Sequence, residues 1–375
     1  MAPTNDDDRL AAAAEVEDPV LFHRLGDLGT LVSVRERRGR VEVALRVPHR
    51  DYPGRDELER RLSQAFAGAR VRLALEELDE DGRAELGARL RALDGTTGAT
   101  SAPGRAGVRP NPFAQRGTRT RVLAVASGKG GVGKSSVTVN LAVALAGRGR
   151  RVGVLDADIY GFSVPRMLGV TYPPLVLGRT IVPPVAHGVR VISMGFFVGE
   201  DQAVAWRGPM LHKALEQFLV DVHWGAPDFL VVDLPPGTGD VALSIGQQLP
   251  GAELYLVTTP QPAAQRVAQR AGVLARQLKL PVRGVIENLS WFTGLDGTRY
   301  ELFGRGGGEA LAEALGAPLL ARIPLEPAVR EGADAGEPAA RAAPGGEVAA
   351  AFDALAARVV ELGPVRVYRS ELTVS

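Results

Sequence analysis

The 375-residue chain contains no cysteine. This absence excludes disulfide bonds, zinc sites built from thiolates, a cysteine nucleophile and the usual all-thiolate iron–sulfur ligation. Aromatic residues make up only 5% of the chain although 45% of it is hydrophobic. Val, Leu and Ala must therefore supply much of the core. The length is sufficient for one large domain and a smaller one.

Strong net charge and long apolar runs are also missing. The net charge is +1, which gives no electrostatic reason to expect nucleic acid as a partner. The chain opens with the polar, acidic run Asn5–Asp8 instead of a basic patch, and no apolar run approaches the length of a membrane span. A tail helix predicted over Glu347–Leu362 is not basic, which argues against membrane docking. We expect a cytoplasmic protein that binds neither nucleic acid nor membrane.

Composition divides the chain into successive parts. We predict a small α/β domain over residues 15–80 and a flexible linker over residues 94–119. A large domain over residues 120–362 and a C-terminal tail over residues 363–375 are predicted to follow. The linker is rich in Gly, Thr, Ser, Ala, Pro and Arg and has no apolar periodicity; a long ordered loop is the alternative. In the small domain the predicted elements are a helix over Pro19–Leu25, strands over Leu31–Val34 and Val41–Val47, a helix over Arg55–Phe66 and a strand over Val71–Leu75.

The large domain alternates short β-rich runs with longer helical ones. The predicted strands are Val122–Ala126, Val152–Leu155, Val189–Ser193, Phe229–Asp233, Leu254–Thr258, Gly284–Glu287 and Leu319–Arg322. The predicted helices include Pro209–Val222, Ala264–Leu278 and Glu309–Leu315. Strands that are apolar without alternation are expected where helices cover both faces of a parallel sheet. We therefore expect a doubly wound α/β fold with a mostly parallel sheet.

A glycine-rich segment follows the first of these strands. Residues Gly128–Ser135 match the pattern G-x-x-x-x-G-K-[ST] with an extra lysine after the first glycine. In such a loop backbone N–H groups surround a triphosphate, Lys134 can reach the β- and γ-phosphates, and the Ser135 hydroxyl can ligate Mg²⁺. The strand-like run before it and the helix-like run Ser136–Ala146 after it favour a phosphate-binding loop over a purely structural turn. The expected nucleotide contacts are Gly128, Lys129, Gly130, Gly131, Val132, Gly133, Lys134, Ser135 and Ser136.

Aspartates stand at the ends of two further strands, where open α/β sheets place their ligand crevice. Asp156 and Asp158 close the strand after the loop's helix, and Asp233 ends another apolar strand. Asp233 has the form of a Walker B acid, which holds Mg²⁺ through its water shell. The turn Pro235–Gly239 behind it is suited to a loop that responds to the γ-phosphate. Asp240 is expected to cap the helix that follows.

Together these motifs resemble a known family. Lys129 gives the loop the deviant Walker A form of the MinD, ParA and nitrogenase iron-protein class. Within that class the chain resembles the Mrp/ApbC family of iron–sulfur cluster carrier ATPases from Thr120 to about Ala339, and residues 18–78 look like the small N-terminal domain often fused in this family. The segments that carry the resemblance are Ser127–Ser135, Leu155–Gly161, Asp233–Asp240, Ile286–Asn288 and Phe303–Gly308.

The resemblance implies a homodimeric, Mg²⁺-dependent ATPase that works with iron–sulfur scaffold or client apoproteins. Lys129 would cross the dimer interface to the partner's nucleotide, and Lys134 would act with it in catalysis. Asp158 would orient or activate the attacking water, and Asn288 would contact the adenine. The implied magnesium ligands are Ser135, Asp156 and Asp233.

One part of the family pattern is missing. The family's Cys-x-x-Cys lies between the Ile-Glu-Asn and Phe-Gly motifs, where this chain has Leu289–Tyr300 without a thiolate. The cysteine that often precedes a proline in the N-terminal domain corresponds to Tyr52. No iron–sulfur ligand is identifiable: Asp296 and His49 offer only oxygen and nitrogen, and a turn role for Asp296 is favoured.

Two functions are consistent with this partial match to the family pattern. The first is an ATP-hydrolysing iron–sulfur cluster carrier or assembly protein whose direct cluster ligation is in doubt. The second is a nucleotide-switched dimeric adaptor or regulator without cluster carriage. The histidines, at positions 23, 49, 187, 212 and 223, show no metal-ligand spacing, so we expect surface or capping roles for them.

Overall fold

A computed structural model describes residues 6–37, 39–94, 110–115, 117–158, 161–197, 208–236, 240–261, 264–342 and 345–365. The strands are β1 Leu31–Arg37, β2 Arg40–Val47, β3 Val71–Glu77, β4 Arg121–Ser127, β5 Val152–Asp156, β6 Leu175–Leu177, β7 Thr180–Val182, β8 Val185–Ala186, β9 Val189–Ser193, β10 Phe229–Asp233, β11 Glu253–Thr258, β12 Val282–Glu287, β13 Phe292–Thr293, β14 Arg299–Tyr300 and β15 Leu319–Arg322.

The helices are α1 Asp6–Ala14, α2 Leu25–Leu28, α3 Arg55–Ala65, α4 Glu80–Leu93, α5 Lys134–Gly147, α6 Val164–Met167, α7 Gly208–Val220, α8 Asp240–Gln248, α9 Ala264–Leu278, α10 Gly307–Leu315, α11 Pro327–Ala335, α12 Ala339–Ala342 and α13 Glu347–Glu361, with a 3-10 helix at Met194–Phe197. Within the described ranges, none of these helices combines the length and apolar character that a membrane crossing needs.

The chain forms two compact units. Unit 1 comprises Met1–Pro110 with the later segments Thr171–Val185 and Gln217–Ala226, and unit 2 comprises the rest. Sequence patterns indicated the N-terminal part of unit 1 but not the two later segments. Both segments lie within the stretch predicted as one large domain, and their place in unit 1 depends on tertiary packing that local periodicity does not encode.

Unit 1 contains a three-stranded sheet in the order β1-β2-β3, with β1 antiparallel and β3 parallel to β2. Alternate residues of β2 point into the core, because Val41, Val43, Leu45 and Val47 are buried while the residues between them are more exposed. Helix α4, which the sequence did not predict, begins where the Asp79 side chain accepts the Gly82 N–H at 2.8 Å.

The helix predicted over Pro19–Leu25 is wrong. Residues 19–21 form a turn, and helix α2 begins only at Leu25. The cause is local. Asp18 Oδ1 accepts the backbone N–H groups of Val20 and Leu21, both at 2.8 Å. This is the geometry of a helix cap, but Phe22 adopts φ 59° in the left-handed region and ends the turn, so no helix follows before Leu25.

Unit 2 contains an eight-stranded sheet in the order β15-β12-β11-β4-β10-β5-β9-β8. Neighbouring strands from β15 through β9 are parallel, and β5, β9, β10 and β11 are buried along their whole length. The predicted fold class is confirmed, and each of the seven predicted strands is present within two residues of its predicted bounds. Strand β10 lies between β4 and β5, so the ends of these three strands meet at one edge.

The predicted linker is only partly described. Residues 95–109 and 116 lie outside the described residues, as do residues 366–375 of the predicted tail, so both remain predictions. The described end of the linker is packed within unit 2: Asn111 Nδ2 donates to the Gln248 carbonyl at 2.8 Å, and Phe113 is 5% exposed. At the other end, Asp94 caps the C-terminus of α4.

Candidate nucleotide site

The glycine-rich loop joins β4 to α5 in unit 2. Gly131 and Gly133 adopt φ values of 75° and 78°, in the left-handed region that favours glycine. A Cβ atom on Gly133 would collide with the Asn288 side-chain amide. Ser127 Oγ donates to the Lys129 carbonyl at 2.8 Å and fixes the start of the loop. The loop therefore holds the N-terminus of α5 open, in the arrangement that binds anions.

Asp233 is the centre of a buried network at the start of α5. Its Oδ2 accepts Ser135 Oγ at 2.6 Å and pairs with Lys134 Nζ at 2.7 Å. Its Oδ1 accepts Thr138 Oγ1 at 2.7 Å. The Lys134 and Asp233 side chains are only 8% and 1% exposed. The sequence did not single out Thr138, although its spacing of one helical turn from Lys134 places it on the same face.

Asp156 lies beside Asp233, since the two residues are partners in the parallel pairing of β5 with β10. Ser193 Oγ, at the end of β9, donates to Asp156 Oδ2 at 3.0 Å. Burial, and secondarily the charge of Asp233, raises the pKa of Asp156 to about 7. A bound cation would relieve the repulsion between these adjacent buried carboxylates. Because hydroxyl and carboxylate oxygens are hard donors, Ser135, Asp156 and Asp233 fit Mg²⁺.

Asp158 follows in the loop after β5. It is 8% exposed, and its Oδ1 accepts the Gly161 N–H at 3.2 Å. Residues 159–160 of this loop and residues 237–239 of the turn expected to respond to the γ-phosphate lie outside the described residues. Asp240 is the first residue of α8 rather than its cap, a difference of one position.

Two other expected site residues contact neighbouring loops. Asn288 Nδ2 donates to the Val132 carbonyl at 2.9 Å and so ties the end of β12 to the phosphate loop. Lys129 Nζ donates to Gln261 Oε1 at 2.5 Å. Gln261, in the loop after β11, was not identified from the sequence. Within one subunit, Lys129 is therefore held by a neutral side chain.

The window expected to hold the family's cysteines is a small hairpin in unit 2. Strands β13 and β14 pair antiparallel. Glu347 accepts hydrogen bonds from Trp291 Nε1 at 3.2 Å, Thr293 Oγ1 at 2.8 Å and Arg299 at 2.5 Å. The Arg299 guanidinium also lies 4.5 Å from the centre of the Trp291 ring, in cation–π contact. The hairpin is held by a polar network.

The weaker ligand candidates also have ordinary structural partners. Asp296 accepts the Thr298 backbone N–H at 3.0 Å and its hydroxyl at 2.7 Å, which confirms the predicted turn role. His49 Nδ1 accepts the Asp51 N–H at 3.2 Å. Tyr52, where the N-terminal cysteine was expected, is 3% exposed and donates to Asp18 Oδ1 at 2.6 Å.

The parallel sheet and the glycine loop that leads into α5 define a P-loop NTPase. Residues 118–360 match a family model described as "ParA: NUBPL iron-transfer P-loop NTPase". Because this match covers more than half of the chain, the protein belongs to this iron-transfer P-loop NTPase family. The resemblance to the Mrp/ApbC carriers is confirmed by curated relatives.

One such relative, the iron-sulfur cluster carrier protein of Mycobacterium tuberculosis, is 46% identical over 359 residues, which cover 92% of this chain and 91% of the relative. Solved structures are similar as well. A nucleotide-binding protein from Archaeoglobus fulgidus in complex with ADP is 35% identical, with a TM-score of 0.51 over 58% of this chain and 86% of that chain. The septum site-determining protein MinD from Pyrococcus horikoshii, complexed with Mg-ADP, is 29% identical, with a TM-score of 0.50 over 65% of this chain and 97% of that chain.

Proposed function

We propose that the protein is a Mg²⁺-dependent ATPase that acts as a homodimer in the delivery of iron–sulfur clusters to apoproteins. The observation that carries the ATPase proposal is the Asp233 network, in which Lys134 and Ser135 converge on one buried carboxylate beside Asp156. A lysine, a hydroxyl and two carboxylates at the mouth of a glycine loop form the group of side chains that phosphoryl transfer requires.

In the proposed reaction the chain's own groups position the phosphates. The backbone N–H groups of residues 128–133 and the N-terminus of α5 receive the phosphate oxygens. Lys134 leaves Asp233 and extends to the β- and γ-phosphates. Mg²⁺ held by Ser135, Asp156 and Asp233 would neutralise charge that develops on the phosphates. Asn288 would contact the adenine from the adjacent loop.

Lys129 and Asp158 complete the proposed catalytic set. Asp158, nearly buried in the loop after β5, would orient the attacking water. Lys129 would exchange Gln261 for the partner subunit's nucleotide, where its charge stabilises a transition state that spreads negative charge. Hydrolysis would then depend on the geometry of the dimer.

The proposed delivery of clusters rests on the family and on relatives that are known as iron-sulfur cluster carrier proteins. The chain offers no thiolate, so thiolate ligands for the cluster must come from another molecule, such as a scaffold or client apoprotein. The same absence favours a second candidate, a nucleotide-switched dimeric adaptor or regulator without cluster carriage. Both candidates use the same ATP-dependent dimer.

The ATPase proposal is tested by measuring phosphate release from purified wild-type protein and from Lys134→Ala. We expect the variant to lose at least about 100-fold in turnover, because Lys134 acts on charge that develops in the transition state. Lys213→Ala, which changes an exposed lysine on α7, is the matched control and should hydrolyse ATP at the wild-type rate. Equal turnover in Lys134→Ala and wild type would exclude this site.

The dimer proposal is tested by mixing inactive variants. Lys129→Ala and Lys134→Ala should each be inactive alone, because each homodimer lacks one essential lysine at both sites. In a mixed dimer, Lys129 of the Lys134→Ala subunit can serve the intact loop of its partner. Random pairing should then restore roughly a quarter of wild-type turnover. Failure to recover activity, with mixed dimers shown to form, would contradict a role for Lys129 across the interface.

The two functional candidates are separated by anaerobic reconstitution with iron and sulfide, read by absorbance and by metal content per dimer. We expect no stable cluster on the purified chain alone, and transfer only when a thiol-bearing partner is present. Stoichiometric cluster on the isolated protein would eliminate the adaptor candidate. ATP-dependent dimerisation without an effect on cluster transfer would favour it.

A further inference from the structure

Two histidines and an aspartate meet inside unit 1. His23 Nε2 lies 3.1 Å from Asp94 Oδ1, and His223 Nδ1 lies 2.6 Å from Asp94 Oδ2. One ligand atom from each side chain falls within 4.8 Å of the others. The expectation that every histidine has a surface or capping role is wrong for His223, which is 3% exposed. No spacing rule could find this cluster, because its members come from distant parts of the chain.

The hydrogen bonds of His223 fix which ring nitrogen carries the proton. Its Nε2 lies 2.9 Å from the Leu21 carbonyl, which can only accept, so Nε2 carries the hydrogen. In the neutral ring Nδ1 then bears a lone pair, which lies close to an oxygen of Asp94. The separation of 2.6 Å is that of an ion pair when Nδ1 also carries a proton. A cation between the two atoms would remove their repulsion.

That cation is either a proton or a metal ion. With a proton on Nδ1, the ring would form an ion pair with Asp94 at the observed 2.6 Å. A metal ion would instead bind the lone pairs of both atoms, with the ring neutral and the two atoms slightly further apart. Metal-binding histidines also typically donate their other N–H to a backbone carbonyl or carboxylate, as His223 does to Leu21.

The surrounding backbone holds the three side chains in place. Asp94 is the C-cap of α4, where the helix dipole disfavours an unpaired negative charge. Phe22, directly before His23, adopts φ 59°, a strained conformation for a non-glycine residue of the kind that occurs at functional sites. The His223 N–H donates to the Ile181 carbonyl at 2.8 Å. Each ligand is therefore fixed by a different element of unit 1.

We propose that His23, Asp94 and His223 bind a divalent first-row transition metal ion, with water in the remaining positions. Two imidazoles and one carboxylate suit Zn²⁺ and Fe²⁺ and disfavour Mg²⁺, which prefers oxygen. His23 is 20% exposed in its side chain, so solvent can complete the coordination. The proposal goes beyond the ATPase function and does not depend on it.

The test uses the full chain, freed of metal with a chelator and titrated with Zn²⁺ in excess Mg²⁺ to occupy the oxygen ligands of the nucleotide site. Isothermal calorimetry should show about one Zn²⁺ per chain. Co²⁺ in place of Zn²⁺ should give visible absorption bands of a nitrogen and oxygen site, without interference from thiolate because the chain has none.

His23→Ala and His223→Ala should each weaken Zn²⁺ binding at least about tenfold. The partly exposed His23 variant keeps the test valid if the buried His223 variant fails to fold. His49→Ala, an exposed histidine of the same unit, is the matched control and should bind like wild type. The proposal is overturned if wild type binds no Zn²⁺, if binding survives in His23→Ala, or if nitrogen-15 NMR of the metal-free and Zn²⁺-treated protein shows the same doubly protonated His223 ring.

Discussion

Two parts of unit 2 differ in how much of the family pattern they retain. One is the nucleotide end of the sheet, which comprises the loop Gly128–Ser135 and Asp233, and the other is the hairpin Phe292–Tyr300. At the nucleotide end, the loop glycines and Asp233 stand where the family motif requires them. In the hairpin, cysteines are absent, and Glu347 joins Trp291, Thr293 and Arg299 in a polar network. The chain therefore keeps the groups expected for nucleotide binding without the thiolates expected for holding a cluster.

Unit 1 also has another residue where the family pattern predicts a cysteine. Tyr52, at the position corresponding to the N-terminal cysteine, is buried and bonded to Asp18. Both places expected to hold thiolates are thus occupied by side chains that stabilise local structure. Such residues are constrained by packing and hydrogen bonding, whereas Lys134 and Asp233 form a buried ion pair at the start of α5, which the proposed mechanism opens when nucleotide binds.

The largest effect is expected from removing the Asp233 charge at the nucleotide end. Asp233→Asn removes the charge that pairs with Lys134 and the anionic ligand proposed for Mg²⁺, so turnover should fall at least about 100-fold. Steady-state phosphate release measures this. Asp228→Asn changes the carboxylate just before the opposite end of β10, where it accepts the Arg151 N–H, and should leave turnover near wild type. Similar losses in both variants would mean that Asp233 acts only through folding.

A smaller effect is expected from the loop backbone. Gly133→Ala places a methyl group against the Asn288 amide at φ 78°, so the Asn288 side chain must move away from the loop and the backbone at position 133 is strained. Nucleotide affinity should fall at least about tenfold, since strain of this kind costs roughly 1–2 kcal/mol. Titration with a fluorescent ATP analogue measures it. Gly147→Ala, at the other end of α5 with open space around its Cβ, should bind normally; an equal loss there would contradict the proposed cause.

The sequence predicted most residues of the nucleotide end but few of the residues that surround it. Gly133, Lys134 and Asp233 belong to motifs whose chemistry fixes their spacing, and a parallel sheet brings strand ends together. Thr138 and Ser193 were missed because a hydroxyl on a helix or at a strand end has no distinctive pattern. His23 and His223 were missed because only tertiary packing brings them together. The helix predicted over Pro19–Leu25 is wrong because the left-handed φ of Phe22 ends the turn that Asp18 begins.

A third variant tests whether Tyr52, where the resemblance led us to expect a cysteine, has a structural role. Tyr52→Phe removes the hydroxyl that donates to Asp18, which should cost about 1–3 kcal/mol of unfolding free energy at neutral pH. Burial raises the pKa of Asp18 above its ordinary value of 3.8, and the Tyr52 hydrogen bond opposes this rise. Without Tyr52 the pKa rises further, so the penalty is small where Asp18 is protonated and grows as pH increases.

Urea unfolding at pH 4 and pH 7 measures this difference, with ATP turnover as a second readout. Tyr300→Phe, which changes a tyrosine that is 45% exposed, is the control and should unfold like wild type at both values of pH. Turnover per folded Tyr52→Phe molecule should match wild type. A larger stability loss at pH 4 than at pH 7 would contradict the assigned role of the hydrogen bond.

The smallest expected effect lies in the hairpin. Glu347→Gln keeps a hydrogen-bond acceptor but removes the charge that Arg299 meets. Because the Arg299 side chain is 61% exposed, amide exchange in Phe292–Tyr300 should rise only about two- to fivefold. Burial raises the pKa of Glu347, but hydrogen bonds from Thr293, Trp291 and Arg299 outweigh it and leave the pKa below its ordinary value of 4.5. The contribution of the Glu347 charge to hairpin stability is therefore present above pH 4.5 and is lost as pH falls through the lowered pKa.

Hydrogen exchange read by mass spectrometry should consequently show a larger difference between Glu347→Gln and wild type at pH 7 than at pH 3. Glu361→Gln, on the same helix in a weak 3.5 Å contact with Arg358, should exchange like wild type in the hairpin at both. ATP turnover should be unchanged in both variants, because neither side chain belongs to the Asp233 network. A fall in turnover with Glu347→Gln alone would show that the hairpin and the nucleotide end are coupled, and the separation inferred between them would not hold.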